Sequence, residues 1–319
     1  MSHTKKTVSI LVLLIATFGC SEKSPFPEPK DDPLVGKGFT LVFSGDVEGQ
    51  VAPCGCQEEP LGGLVAVENF LNQVKGERLF VDAGNLFFES KPIPEIMKGD
   101  WMNQAEAISE TYPKLGVVAS VPGHLDFAAG VESFQKLTGQ MGDVHLASNS
   151  NLGLAPRKIV NLNGFKVGMT AVMNPADEFP EAVSVTQAVK PVWDHIQEMN
   201  KEKVEIFIVI SQLGIEEDRK ALEKISNLKK KKGIKQALIW VGGRSKSFLQ
   251  TPEVIGKSLL VHAKSQNHYI GSVQLVYSGR GSWKANNYKL LPLGEKYAEP
   301  ASGSKALSIL KSRKLSWKP

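Results

Sequence analysis

A series of short apolar runs, each handing over to a polar loop, constrains this chain more than any other feature. Phe39–Ser44 leads into Gly45-Asp46, Arg78–Val81 into Asp82-Ala83-Gly84-Asn85, and Val117–Val121 into Pro122-Gly123-His124-Leu125-Asp126. Val204–Ile210 leads into Ser211-Gln212-Leu213-Gly214, and Ala237–Val241 into Gly242-Gly243-Arg244-Ser245-Lys246. Runs this short, rich in branched and aromatic residues, read as strands buried on both faces. Helical spacing of apolar residues lies between them, at Val65–Val74, Trp101–Tyr112, Val131–Leu137, Val192–Met199 and Glu216–Leu228. Strands alternating with helices predict an α/β layered fold whose polar loops gather at the strand ends. Val144–Asn149 and Phe165–Val172 read as further strands, and Gly256–His262 with Tyr269–Tyr277 as a closing hairpin. No repeat and no second domain is visible.

With 319 residues, 42% hydrophobic and 22% charged, the chain can bury a full core. Its net charge of +5 is concentrated in Lys5, Lys6 and the run Lys229–Lys232, too local to argue for nucleic acid. The lysine run reads as a solvated helix end. At the N-terminus, Lys5 and Lys6 precede an apolar stretch, Val8–Phe18, too short for a comfortable membrane span. Gly19-Cys20 at its end resembles the bacterial lipobox, which implies export, lipidation of Cys20 and a signal peptide over 1–20. Ser21 lacks the aspartate associated with inner-membrane retention, so the expected location is the outer membrane, facing the periplasm. Pro25, Pro27, Pro29 and Pro33 among charged residues make 21–38 a tether that cannot form a core. The folded domain is expected over 39–293, with a short helix and a loose tail over 294–319.

The polar loops, in their order and spacing, resemble the catalytic domain of the periplasmic 5′-nucleotidase group of calcineurin-like metallophosphoesterases. The resemblance implies a layered β-sandwich flanked by helices and a site for two metal ions. In that family the ligands are Asp-x-His, Gly-Asp, Asn-His, a single His after a strand, and Gly-His-x-His. Carried over, Asp46 keeps the first acid, Glu48 stands for the first His and Asn85 for the bridging aspartate. Gly123-His124-Leu125-Asp126-Phe127 matches Gly-Asn-His-Glu-Phe, which puts His124 at the Asn and Leu125 at the catalytic His. Gln212 replaces the single His, while Arg244 and Lys246 replace the final pair.

Asn85 cannot bridge two metals as a carboxylate does, and a guanidinium is never a ligand. The metal positions Asp46, Glu48, Asn85, His124 and Gln212 therefore read as a degenerate set. Asp46, Glu48 and His124 remain the set for a single divalent ion, manganese or zinc; otherwise no cofactor is expected. Arg244 and Lys246 either bind a phosphate-like anion in place of the metals or pair internally with Asp46, Glu48 or Asp126. Asp126 is the one weak catalytic candidate. By resemblance, Asn267 and His268 lie near the substrate region. The family's nucleotide-binding C-terminal domain is expected to be missing.

Pro53-Cys54-Gly55-Cys56, followed by Gly62-Gly63-Leu64, is similar to a subgroup of exported relatives of these phosphoesterases. Cys54 and Cys56 are open to three readings: a strained disulfide, a redox or thiol–metal site, or separate buried thiols. His145 and His262 lie in strand-like runs and read as core or edge residues; His195 reads as exposed. The expectation is a lipid-anchored envelope protein that binds or supports and does not hydrolyse, with an envelope protein as a candidate partner. The alternative is a divergent metal-dependent phosphoesterase.

Overall fold

The computed structural model describes residues 32–53 and 60–317. The expected signal peptide with Cys20, most of the tether, and the thiol pair Cys54 and Cys56 lie outside the described residues. Leu34–Pro319 forms one compact unit.

Two sheets carry the fold. Strands β1 (Gly38–Ser44), β2 (Arg78–Asp82) and β3 (Val117–Ser120) run parallel; β10 (Tyr269–Gly279) joins β1 antiparallel, and β11 (Ser282–Pro292) closes the order β11-β10-β1-β2-β3. The second sheet has the order β4-β5-β6-β7-β9-β8. Its strands are β4 (Arg157–Leu162), β5 (Phe165–Val172), β6 (Ile206–Ser211), β7 (Ala237–Gly242), β8 (Glu253–Ile255) and β9 (Ser258–His262). Strands β5, β6, β7 and β9 are parallel, with antiparallel edges at β4 and β8.

Alternation along β6 and β7 shows how the layers form. Ile206, Ile208, Ile210, Ile239 and Val241 point into the core shared with the first sheet. Phe207, Val209, Leu238 and Trp240 point the other way, against α4 (Val189–Lys201) and α5 (Ile215–Lys232), where they meet Val192, Ile196, Leu222 and Ile225. Successive strand side chains point to opposite faces, so a run apolar at every position needs cover on both. Helices α1 (Leu64–Gln73), α2 (Lys98–Leu115) and α3 (Val131–Met141) bury Phe70, Ile108, Tyr112 and Phe134 on the first sheet's side. This is the expected α/β sandwich flanked by helices.

Four expectations change. Strands β9 and β10 do not form a hairpin; they belong to different sheets, and each pairs with a neighbour the sequence hides. The neighbour of β10 is β11, largely exposed and polar at the sheet edge, so it shows no apolar run. Val144–Asn149 makes only isolated bridges, Ser120 to His145 and Leu146 to Ala155. The lysine run is not wholly solvated: Lys229 is buried and donates to the Gln236 carbonyl at 2.7 Å, and its pKa is lowered to about 8 by burial and by Lys257. The other three lysines of the run close α5 as cations at a helix C-terminus, opposite Glu216, Glu217 and Asp218 in its first turn.

The C-terminal segment carries the expected short helix, and the residues after it are packed rather than loose. Glu68 of α1 accepts from the Lys305 and Ala306 amides at 2.9 and 3.1 Å, capping α7 (Lys305–Ser312) from outside. A short helix, α6 (Glu295–Ala298), precedes it, and the Asn69 amide donates to the Tyr297 carbonyl at 2.8 Å. Arg313 pairs with Glu106 at 2.7 Å and Glu110 at 2.5 Å, and Leu315 and Trp317 pack on the core.

Candidate functional site

The ends of β1, β2, β6 and β7 bring their loops together around one carboxylate. Asp46 is buried and accepts the Asn85 amide on Oδ1 at 3.1 Å, the Gln212 amide on Oδ1 at 3.1 Å, and the Arg244 backbone N–H on Oδ2 at 2.6 Å. The amide orientations are set by their other partners. Asn85 Oδ1 accepts the Leu125 N–H at 3.1 Å, and Gln212 Nε2 also donates to the Ala83 carbonyl. Each NH₂ therefore faces oxygens. Burial raises the Asp46 pKa, and the donors Gln212, Asn85 and Arg244 oppose that rise.

Backbone geometry makes this closeness possible. Asp46, Glu48, Asn85 and Arg244 sit in the left-handed region, at φ 50°, 52°, 49° and 72°. Such a conformation costs a non-glycine residue about 1 kcal/mol or more, and surrounding bonds must hold it. They do so here as a ladder of loops, with the Asp46, Glu48 and Gly49 amides donating to the carbonyls of Gly84, Asn85 and Leu86 at 2.8, 2.7 and 3.0 Å. Gly123 and Gly243 supply the remaining room. A Cβ at Gly123 would stand 2.0 Å from Asn85 Oδ1, and one at Gly243 2.8 Å from Gln212 Nε2.

The donor set does not fit a pair of metal ions. Asp46 spends both oxygens on N–H donors, and the Asn85 and Gln212 NH₂ groups face it where a cation needs lone pairs; Gln212 Oε1 is the one amide oxygen there left without a partner among the described residues. Among the described residues, no three His, Cys, Asp or Glu side chains, Asp46, Glu48 and His124 included, are gathered as a group that could hold a metal. His124 turns to Asp177, with Nδ1 3.4 Å from Oδ2.

Asp177 is the residue the sequence reading missed. It lies in the loop after β5, and its carboxylate accepts Arg244 Nε at 2.8 and 3.1 Å and an Arg244 terminal nitrogen as well. Burial pushes its pKa up, yet His124 and Arg244 outweigh this and hold it below the ordinary value. The guanidinium is thus paired internally, with Asp177 and not with Asp46, Glu48 or Asp126. The signal was available: an acid in the polar loop after an apolar run is the pattern that singled out Asp46. Lys246 is exposed and acts on Glu48 only through space.

The other candidates divide. Asp126 is fully buried and turned inward, accepting the Phe87 and Gly123 amides at 3.0 and 2.8 Å; burial raises its pKa to about 6 despite those bonds. That geometry holds two loops together and offers no proton to the site. Asn267 is bonded to the Tyr112 hydroxyl at 3.2 Å, away from Asp46. Burial and Lys264 lower the His268 pKa, and the link from this loop to the site is the Gln266 amide on the Asp46 carbonyl at 2.6 Å. His262 is a core residue as expected, with Nε2 2.8 Å from Asp218, which also accepts Ser211 Oγ at 2.5 Å and Trp240 Nε1 at 2.8 Å. Buried His145 lies against the Phe87 and Phe134 rings, and burial lowers its pKa to about 4.

Glu48 points elsewhere. It is 7% exposed and lines a cleft of about 600 Å³ together with Gln50, Phe87, Glu89, Trp101 and Gln104. Burial and the charge on Asp46 raise its pKa to about 7.

No protein-family model matches this chain, and no curated protein does either. Solved structures do. The 5′-nucleotidase precursor of Thermus thermophilus superposes with a TM-score of 0.70 at 19% identity, over 87% of this chain and 58% of that one. The sulfate thiohydrolase SoxB of the same organism gives 0.66 at 15% identity, over 86% and 60%. The calcineurin-like phosphoesterase YfkN of Bacillus subtilis gives 0.66 at 18% identity, over 88% and 97%. This chain spans less than two thirds of the length of the first two. The loops that end β1, β2, β6 and β7, and the two sheets that carry them, give this chain the calcineurin-like metallophosphoesterase fold, in the form found in 5′-nucleotidases.

Proposed function

We propose that this protein is a binding or structural pseudoenzyme of the cell envelope, exported and held to the membrane by a lipid on Cys20. Its metallophosphoesterase fold carries an amide-sealed cluster in place of a dinuclear centre. The observation that carries this reading is the Asp46 carboxylate, taken on both oxygens by the Asn85 and Gln212 amides and the Arg244 backbone N–H. Phosphoester hydrolysis through a metal pair needs charge compensation of two cations and a metal-held water. A carboxylate saturated by N–H donors provides neither. Among the described residues no helix is long and apolar enough to cross a membrane, so attachment in this reading rests on the lipid and on the N-terminal segment. An envelope protein is the expected partner. The Arg244–Asp177 pair leaves Lys246 as the free cation for a phosphate-like anion among the described residues.

Metal analysis of the purified full chain, followed by a phosphatase assay with manganese or zinc, tests the reading. Substoichiometric metal and no turnover are expected. Stoichiometric metal with turnover abolished by Asp46→Ala would overturn it in favour of a divergent phosphoesterase.

A further inference from the structure

The Glu48 cleft stands beside the sealed cluster but is built differently. Among the described residues, the Glu48 carboxylate has no hydrogen-bond partner and no ion pair, although the residue is more than nine-tenths buried. Its oxygens are not sealed from the cleft, so a cation entering there meets a carboxylate that no protein donor has taken. The groups acting on it are Asp46, Glu89, Lys246 and His124. Only Glu89 shares the cleft with it, and no lysine, arginine or histidine is among the lining residues described. An anion is therefore repelled from this cavity. The wall also includes half-buried Trp101, with Phe87, Met97 and Leu315, and Gln50 and Gln104. Met97 is 37% exposed, an apolar side chain at the cleft open to solvent.

We propose that this cleft binds an organic cation, an ammonium group on an apolar body, with Glu48 and Glu89 taking the charge and Trp101 the body. A carboxylate pair beside an indole face is the pairing a desolvated ammonium requires: an ionic hydrogen bond at one end, a ring quadrupole along its flank. The cavity volume suits a ligand of drug size. The metal reading of Glu48 does not account for this wall, since a bare divalent ion gains nothing from Trp101, Met97 or Leu315. This inference rests on the binding reading above and gives it a ligand class.

The test titrates the full chain with benzylammonium, and with the neutral isostere benzyl alcohol, by calorimetry and ligand-observed NMR. Saturable benzylammonium binding is expected, with benzyl alcohol at least about tenfold weaker. Glu48→Gln is expected to weaken benzylammonium about tenfold, and Trp101→Leu about threefold, with each variant's thermal melt checked against wild type. Equal affinity for both probes, no saturable binding, or an unchanged affinity in Glu48→Gln would overturn the proposal. Its failure leaves the pseudoenzyme reading standing, because that reading fails only on metal-dependent turnover.

Discussion

Asp46 and Glu48 stand two residues apart on one loop, both buried and both in left-handed backbone, yet their surroundings are opposite. Three N–H donors from three other loops converge on Asp46; among the described residues none reaches Glu48. One carboxylate has become a structural knot that ties the strand ends together, and the other faces a cleft. The Asn85 and Gln212 NH₂ groups satisfy the acid they face, and so close only the part of the loop cluster they reach.

The largest effect should come from cutting the knot. Asp46→Ala orphans the Asn85 NH₂ and the Arg244 N–H, leaves the Gln212 NH₂ with the Ala83 carbonyl alone, and should destabilise the protein by about 4 kcal/mol in denaturant unfolding. A loss below about 1 kcal/mol would show that Asp46 is held no more tightly than Glu48, and the contrast between them would collapse.

His145 supplies a reference for plain burial, since its ring nitrogens have no partner among the described residues. Its folded pKa of about 4 lies below the unfolded value of 6.5, so the unfolded chain binds the extra proton. Stability is therefore lost as pH falls from 6.5 towards 4. Relative to His145→Leu, the wild type should lose about 3 kcal/mol between pH 7 and pH 4.

Glu48 should show the opposite sign. Its folded pKa, about 7, lies above the ordinary 4.5, so its contribution is fully present below pH 4.5 and is lost as pH rises through 7. Glu48→Gln should gain on the wild type by about 2 kcal/mol between pH 4.5 and pH 8, solvent in the cleft trimming the full burial effect. A gain that does not vary with pH would mean that the carboxylate is already partnered.

The smallest effect belongs to the rim of the knot. Asp177→Ala frees a guanidinium that is 34% exposed, and should cost about 1 kcal/mol. The same change should also free Arg244 for an anion, so phosphate binding by Asp177→Ala but not by wild type would show that the internal pair is what blocks that side.

Much of the fold was legible because fully buried strands must be apolar at every position. The β6 and β7 runs, and the acids and amides that follow β1, β2 and β6, are visible for that reason. Strand β11 was not, because a half-exposed edge strand needs no apolar pattern. Nor was the α7 clamp, which depends on Glu68 lying next to a helix start more than two hundred residues away in the chain. In the site, the residue types already argued against a full metal pair, since an amide cannot bridge two cations as a carboxylate does and a guanidinium is never a ligand.

Residue types and their order along the chain were enough, without coordinates, for the layered α/β class and the gathering of the polar loops. Which donor meets which acceptor emerged only from the packed loops. The Arg244 guanidinium reaches Asp177 while only its backbone N–H reaches Asp46, Asn267 turns to Tyr112, and Glu48 opens onto a cleft while Asp46 is closed. Hydrogen bonds act over about 3 Å, and no pattern along the chain locates loops from separate strands to that precision.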